Sequence, residues 1–189
     1  DLFCGAGGMA KGFEMAGFKN LFALDIESEF SKTYKKNFPN HKLIIKDIRS
    51  LSENEIIELI KNTKVDVIIG GPPCQGFSIA GNIGRKFIDD PRNSLFKEYA
   101  RVISIVKPSF FVMENVARLY THNKGETRKE ILATFENMGY SVECKILNSV
   151  DYGVAQERRR VIFIGSLNKD IKINFPKKIS EKQKTVKEV

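Results

Sequence analysis

The chain has 189 residues, of which 42% are hydrophobic and 29% charged, so it can form one domain with a sizeable core. No apolar run approaches the roughly 18 residues of a membrane span, and the first residues, DLFCGAGG, do not resemble a signal peptide. The net charge of +8 favours polyanionic partners. Three cysteines, two histidines and no CxxC pair argue against a disulfide framework and a metal site. We therefore expect a cytoplasmic protein without a metal.

Short apolar runs alternate along the chain with longer amphipathic runs, and this alternation predicts a largely parallel sheet with helices on both faces. The predicted strands and helices are, in chain order, strand 1–3, helix 8–18, strand 20–26, helix 28–38, strand 42–48, helix 52–62, strand 64–70, helix 93–106, strand 108–116, helix 125–139, and strands 140–149 and 160–166. Ser28 is a predicted N-cap, and Ser52 with Glu55 has capping-box spacing. Residues 167–189 are lysine-rich and read either as a solvated linker or as the start of a further region.

A glycine-rich loop, FCGAGGMA, joins the first predicted strand to the first helix. Gly5, Gly7 and Ala10 match the GxGxxG/A pattern, and Asp25 follows at the end of the second strand. Glycines let a ligand approach the backbone, the helix N-terminus attracts its negative group, and the acid can hold ribose hydroxyls. The loop thus predicts an adenosine-type cofactor, without choosing between nicotinamide and methyl-donor chemistry.

A second loop, GGPPCQGFS, follows a strand predicted to be buried on both faces. Its prolines stiffen the backbone around Cys74, which is interpreted either as an aimed nucleophile or as a small buried residue. Glu114 ends another apolar strand at the same predicted sheet edge, where it can handle protons or pair with a cation. In QERRR, Arg158 and Arg160 lie on one face of an extended segment and can bind phosphate, stabilise a carboxylate or pair with surface acids.

Several motifs together resemble those of the DNA (cytosine-5) methyltransferases, and especially bacterial enzymes of restriction–modification systems. The segments that carry the resemblance occur in the family's order from Asp1 to about Gly165: DLFCGAGG, DIE, KDI, GGPPCQGFS, DPRNSLF, ENV and QERRR. The resemblance implies a Rossmann-like α/β fold, S-adenosyl-L-methionine as cofactor and double-stranded DNA as partner.

The resemblance also implies roles for individual residues. The cofactor would be bound by Phe3, Gly5, Gly7, Gly8, Asp25, Ile26, Asp47, Ile48 and Leu95. Asp25 stands where the family often has glutamate. The aspartate side chain is shorter, which affects its distance to the ribose hydroxyls. The catalytic residues would be Cys74, Glu114, Arg158 and Arg160. The substrate would be contacted by Pro73, Gln75, Ser78, Asn115 and Gln156.

The implied reaction begins when the Cys74 thiolate adds to C6 of a cytosine flipped out of the duplex. Glu114 would share a proton with N3 of that base, and residues 78–90 would form a mobile loop that closes over it. The resemblance implies a catalytic domain at 1–166, truncated at both ends, followed by a linker or the start of a target-recognition region at 167–189. The chain alone is expected to methylate little.

Other readings stay open at this point. They are an RNA (tRNA) cytosine-5 methyltransferase, a non-catalytic DNA-binding relative and, from the glycine loop alone, a nicotinamide-dependent oxidoreductase. The resemblance further implies a monomeric, nucleoid-associated protein with a possible cognate restriction endonuclease.

Overall fold

The structure, a computed structural model, describes residues 1–61, 63–73 and 93–179. Cys74, Gln75, Ser78, the predicted mobile loop 78–90 and residues 180–189 lie outside the described residues. The helices are α1 (Gly8–Met15), α2 (Ser28–Asn37), α3 (Glu53–Ile60), α4 (Ser94–Val106) and α5 (Glu126–Glu136). The strands are β1 (Ala23–Asp25), β2 (Leu43–Ile45), β3 (Val67–Gly70), β4 (Phe110–Val116), β5 (Ser141–Asn148) and β6 (Arg159–Ser166). Each predicted helix is present, and the strands are mostly shorter than predicted.

Leu2 joins two groups of strands into one sheet. It forms parallel bridges to Leu24 of β1 and to Gly70 of β3, with its N–H donating to Ile69 at 2.8 Å. The strand order is therefore β2–β1–Leu2–β3–β4–β6–β5. Because Leu2 lies between β1 and β3, the glycine loop that follows it leaves the carboxyl edge of the sheet between these two strands.

Strand β6 runs against its neighbours, so the sheet is mixed. The pairs β1–β2 and β3–β4 are parallel, whereas β6 is antiparallel to both β4 and β5. This confirms the predicted mostly parallel α/β class, with one antiparallel strand that the alternation of elements did not indicate. The consequence for function is direct: the first residues of β6 lie beside the last residues of β4.

Helix starts agree with the sequence at one site and differ at another. Ser52 and Glu55 form the predicted capping box at α3, each side chain accepting from the other residue's backbone N–H. The prediction that Ser28 caps α2 is wrong, because the N-cap is Glu27, with no side-chain cap, and Ser28 is the first helical residue. The Asp25 carboxylate accepts from the N–H of Glu27 at 2.9 Å, which holds the turn and starts the helix one residue earlier.

Two buried tyrosines fix the strands that carry the site. The Tyr99 hydroxyl lies 3.3 Å from the carbonyl oxygen of Ile68 in β3 and 3.1 Å from that of Val112 in β4. The Tyr140 hydroxyl donates to the Pro108 carbonyl at 2.8 Å, just before β4. Their rings pack with the Phe111 ring in the core, so each buries apolar area while its polar tip is satisfied. None of the described helices combines the length and apolarity that crossing a membrane requires.

Candidate active site

The glycine loop has a backbone that suits close approach of a ligand. Phe3, Gly5 and Gly7 all have positive φ, at 59°, 52° and 92°. For a non-glycine residue such as Phe3 this conformation costs about 1–3 kcal/mol, and strain of this kind clusters at ligand sites. A Cβ at Gly7 would overlap the ring of Phe38, the residue that follows α2. Glycine is therefore needed here, and α1 begins immediately afterwards at Gly8.

Asp25 ties the glycine loop to the end of β1. One carboxylate oxygen accepts from the N–H of Gly5 at 2.8 Å, and the other accepts from that of Glu27 at 2.9 Å. Each carboxylate oxygen has two acceptor positions, so both retain capacity for a further donor such as a ribose hydroxyl. Ile26 follows with 56% of its surface exposed, which leaves an apolar surface beside the carboxylate.

The loop after β2 is braced from two directions. Asp47 caps the 3₁₀ turn Ile48–Ser50, and the Ile48 side chain is buried in the core. Arg101 of α4 donates from Nη2 to the Ile48 carbonyl at 3.0 Å and pairs with Glu98 at 2.7 Å. Leu95, in the first turn of α4, is partly buried against the same core. The structure thus brings three predicted cofactor residues, Asp47, Ile48 and Leu95, onto two connected elements.

Glu114 receives both predicted arginines. Nε of Arg160 lies 2.9 Å from Oε1 of Glu114, and Nη2 of Arg158 lies 3.5 Å from the same oxygen. Arg160 is more buried than Arg158, with 27% against 50% of the side chain exposed. The antiparallel course of β6 makes this possible, because it brings residues 158–160 to the carboxyl end of β4.

Asn115 links β4 to the segment that leads to Cys74. Its buried side chain donates to the Pro72 carbonyl at 3.0 Å and accepts from the N–H of Val116 at 2.9 Å. A Cβ at Gly71 would lie 3.4 Å from Oε2 of Glu114, so the loop backbone starts directly beside that carboxylate. Pro73 is exposed, as is Gln156.

These contacts follow one line along the carboxyl edge of the sheet. Leu2 is a neighbour of both Leu24 and Gly70, and Gly70 is paired with Met113. The residues that follow these positions, at the ends of adjacent strands, are therefore Phe3, Asp25, Gly71 and Glu114. The edge can hold an adenosine-type ligand at the glycine loop and a second ligand against Glu114, a short distance along it.

The two described cysteines are poorly suited to nucleophilic chemistry. Burial raises the pKa of the Cys4 thiol to about 12, with a further contribution from the Asp25 charge. Burial also raises the pKa of Cys144, which lies in β5. Both thiols are therefore protonated near neutral pH.

Sequence reasoning missed two charged residues at this edge. Arg49 pairs with Asp47, and Arg101 holds the Ile48 carbonyl. The contact of Arg49 could have been predicted from the sequence, since Arg49 follows the acidic Asp47 by two residues. The contact of Arg101 with Ile48 could not have been predicted in this way, because 53 residues separate the two in the sequence.

Comparison with known proteins assigns this arrangement to a class and then to a family. The chain is similar to a DNA modification methyltransferase encoded within an Escherichia coli prophage, with a TM-score of 0.82 and 32% identity over 100% of this chain and 52% of that one. The fold is thus the Rossmann-like fold of methyltransferases that use S-adenosyl-L-methionine. Residues 1–189 match the family model for C-5 cytosine-specific DNA methylases, and the chain belongs to that family.

Two curated relatives agree with this assignment. The type II methyltransferase M1.HphI of Haemophilus parahaemolyticus is 53% identical over 98% of this chain and 50% of its own length. The type II methyltransferase M.FnuDI of Fusobacterium nucleatum is 45% identical over 97% of this chain and 52% of its own length. The chain therefore spans about half the length of these relatives.

Proposed function

We propose that the protein transfers a methyl group from S-adenosyl-L-methionine to C5 of cytosine in duplex DNA, as a modification methyltransferase. The observation that carries the proposal is the Glu114 carboxylate, which two arginines hold beside the loop that leads to Cys74. A carboxylate that is paired, partly exposed and backed by an apolar strand can hold a proton donor on a heterocycle. The family membership supports the choice of cytosine as that heterocycle.

The cofactor would lie along the glycine loop. Asp25 would accept from the ribose hydroxyls, Phe3 and Ile26 would pack on the adenine, and Asp47 would accept from its amino group. Ile48 and Leu95 would line the same pocket. The residues fit such a group because Asp25 keeps free acceptor positions and the backbone at Gly5 and Gly8 borders open space. When bound, the cofactor supplies an electrophilic methyl group.

Chemistry at the base would follow a covalent route. The Cys74 thiolate adds to C6, and the electron pair displaced toward C5 attacks the methyl carbon as its bond to the cofactor sulfur breaks. A proton acceptor then removes the proton from C5 of the cytosine, and the C6–S bond breaks to regenerate the thiolate. Glu114 would hold N3 and the exocyclic amino group, while Arg158 and Arg160 support the carboxylate and the base.

The target base must leave the helix to meet these groups. Inside the stack C6 is inaccessible, so we propose that the cytosine is flipped into the space beside Gly71 and Glu114. Pro73, Gln75, Ser78, Asn115 and Gln156 would line that space or position its walls. The loop 78–90 would then close over the base.

The proposed organisation places the catalytic domain at 1–166 and a linker, or the start of a target-recognition region, at 167–189. Its support is that the chain spans about half the length of its relatives. We therefore propose that this chain alone binds cofactor weakly and methylates little. The protein would act as a monomer in the cytoplasm at the nucleoid, with a cognate restriction endonuclease.

The test is methyl transfer from labelled S-adenosyl-L-methionine by the full-length protein to duplex DNA and, separately, to tRNA. The proposal predicts label at C5 of cytosine in DNA, loss of label with Glu114→Gln, and full label with the matched control Glu126→Gln. Glu126 is an exposed residue of α5 whose partner is Lys129. Label in tRNA alone would make the protein an RNA methyltransferase, and label in neither would leave a non-catalytic relative. Robust DNA methylation by the 189-residue chain would overturn the proposal that this chain alone methylates little.

A further inference from the structure

Arg49 engages the whole carboxylate of Asp47. Oδ1 of Asp47 accepts from the backbone N–H of Arg49 at 2.9 Å and from its Nε at 3.0 Å. Oδ2 accepts from Nε at 3.0 Å and from Nη2 at 2.6 Å. A carboxylate offers about four acceptor positions. The single N–H of Nε is shared between both oxygens, so three donors surround the carboxylate, and two of them belong to the guanidinium.

The guanidinium is held by electrostatics more than by packing. The Arg49 side chain is 59% exposed, against 28% for Asp47. Hydrogen bonds from Arg49 hold the pKa of Asp47 below its ordinary value. The charge of Glu98 adds to that of Asp47 in raising the pKa of Arg49, so an acid of α4 stands close to the pair. A guanidinium that leaves Asp47 therefore remains near a second negative charge.

We propose that Arg49 competes with the adenine amino group for Asp47 and thereby sets both cofactor affinity and the discrimination between purine bases. This inference rests on the proposed function, in which Asp47 accepts from adenine. The competition arises because the guanidinium already donates to both carboxylate oxygens, so an amino group that approaches either oxygen meets it. The backbone N–H of Arg49 can stay in place, so only the guanidinium has to move.

The same guanidinium changes what the site offers to other bases. Adenine presents an amino donor at position 6, whereas hypoxanthine presents a carbonyl acceptor there. With Arg49 present, a donor and an acceptor stand side by side at this point, so an inosine analogue finds a partner in the guanidinium. Without Arg49 only the carboxylate remains, which repels a carbonyl oxygen. Removing the side chain should thus move the two affinities in opposite directions.

The experiment is calorimetry on the full-length protein with S-adenosylhomocysteine and with S-inosylhomocysteine. For Arg49→Ala we expect about two- to five-fold tighter binding of the adenosine compound, the range that an exposed ion pair can contribute. Binding of the inosine compound should weaken. Arg49→Met, which keeps much of the length of the side chain, should change both affinities in the same directions. It tests the inference even where the alanine variant folds poorly. Lys129→Ala is the matched control, since it removes the same charge from the exposed pair with Glu126.

Salt provides a second measurement. Since ionic strength screens the exposed pair between Arg49 and Asp47, added salt should strengthen adenosine binding to the wild type relative to Arg49→Ala. The inference would be overturned if the Arg49 variants changed the affinity for both compounds by the same factor, or if both variants bound the adenosine compound more weakly. Either result would leave the proposed function intact. If the wild type binds neither compound, the cofactor proposal itself fails and takes this inference with it.

Discussion

Glu114 and Arg160 form an ion pair of 2.9 Å across β4 and β6, although neither is the other's direct partner in the sheet. Glu114 is paired with Ile162, and Arg160 with Val116, so the two charged side chains meet on a diagonal of one face. In this geometry Oε2 of Glu114 faces Gly71 and the loop that follows it. This arrangement presents Oε1 to the arginines and Oε2 to the loop that begins at Gly71.

Replacing Glu114 by glutamine should reduce catalysis with little effect on the cofactor. The amide keeps the shape of the side chain, but it cannot share a proton with N3 of cytosine. We expect a fall of about 10²-fold or more in single-turnover methyl transfer to duplex DNA. The dissociation constant for S-adenosylhomocysteine should stay within about two-fold, because Glu114 is not among the proposed cofactor-binding residues. Equal losses in both quantities would indicate a folding defect.

The two arginines should differ in importance. Arg160 is the more buried and lies nearer to Glu114, so its loss leaves the carboxylate, among the ion pairs of the described residues, with the 3.5 Å contact to Arg158. Lysine keeps the charge but loses the planar fork of donors. Arg160→Lys should therefore slow methyl transfer more than Arg158→Lys in the same assay. The reverse order would show that Arg158 has a contact to substrate that outweighs its role at Glu114.

Asn115→Ala should loosen the segment that carries the proposed nucleophile. The substitution removes the hydrogen bond to the Pro72 carbonyl and the one from the N–H of Val116. We expect the free energy of unfolding to fall by about 1–3 kcal/mol in urea titrations, the usual net contribution of two hydrogen bonds. Methyl transfer should fall as well. Asn174→Ala, at an exposed asparagine of the chain's last described stretch, serves as the control and should change neither quantity.

The sequence predicted much of this architecture because its signals are local. Capping-box spacing at Ser52 and the strand–helix alternation depend on neighbours within a few residues. The antiparallel direction of β6 was not readable, because β5 and β6 both appear as strands and their direction depends on tertiary packing. The same holds for the contact between Asn115 and Pro72, whose partners are 43 residues apart. The Ser28 prediction failed because an equally local contact, from the N–H of Glu27 to Asp25 two residues before it, sets the turn one residue earlier.

Acid should weaken the fold through Glu55. Hydrogen bonds from Lys46 and from Ser52 lower the pKa of Glu55 from 4.5 to about 2. A group with a depressed folded pKa stabilises the protein above its unfolded value, so this contribution is present above pH 4.5 and is lost as the pH falls toward 2. Denaturant titrations across that window should show a smaller pH dependence for Glu55→Gln than for the wild type. Glu58→Gln, which leaves the Lys46 pair and the capping box intact, should retain the wild-type dependence. An unchanged slope in Glu55→Gln would contradict the assignment.

Thiol labelling should distinguish the cysteines. With a pKa of about 12, Cys4 has almost no thiolate near neutral pH, and burial also protects Cys144. We expect iodoacetamide to react fastest at Cys74 in the folded protein, as read by mass spectrometry of peptides. The double variant Cys4→Ser and Cys144→Ser should keep this labelling, whereas Cys74→Ser should lose it. Rapid labelling of Cys4 would show that the glycine loop opens to solvent.

Covalent trapping on DNA that contains 5-fluorocytosine tests the central claim most directly. Fluorine at C5 cannot leave as a cation, so the proposed C6–S bond persists after methyl transfer and the complex survives denaturing electrophoresis. With the full-length protein and S-adenosyl-L-methionine, the account predicts an adduct for the wild type and none for Cys74→Ser, with Cys4→Ser as the matched control that retains it. Absence of an adduct with the wild type, or its persistence in Cys74→Ser, would contradict the account.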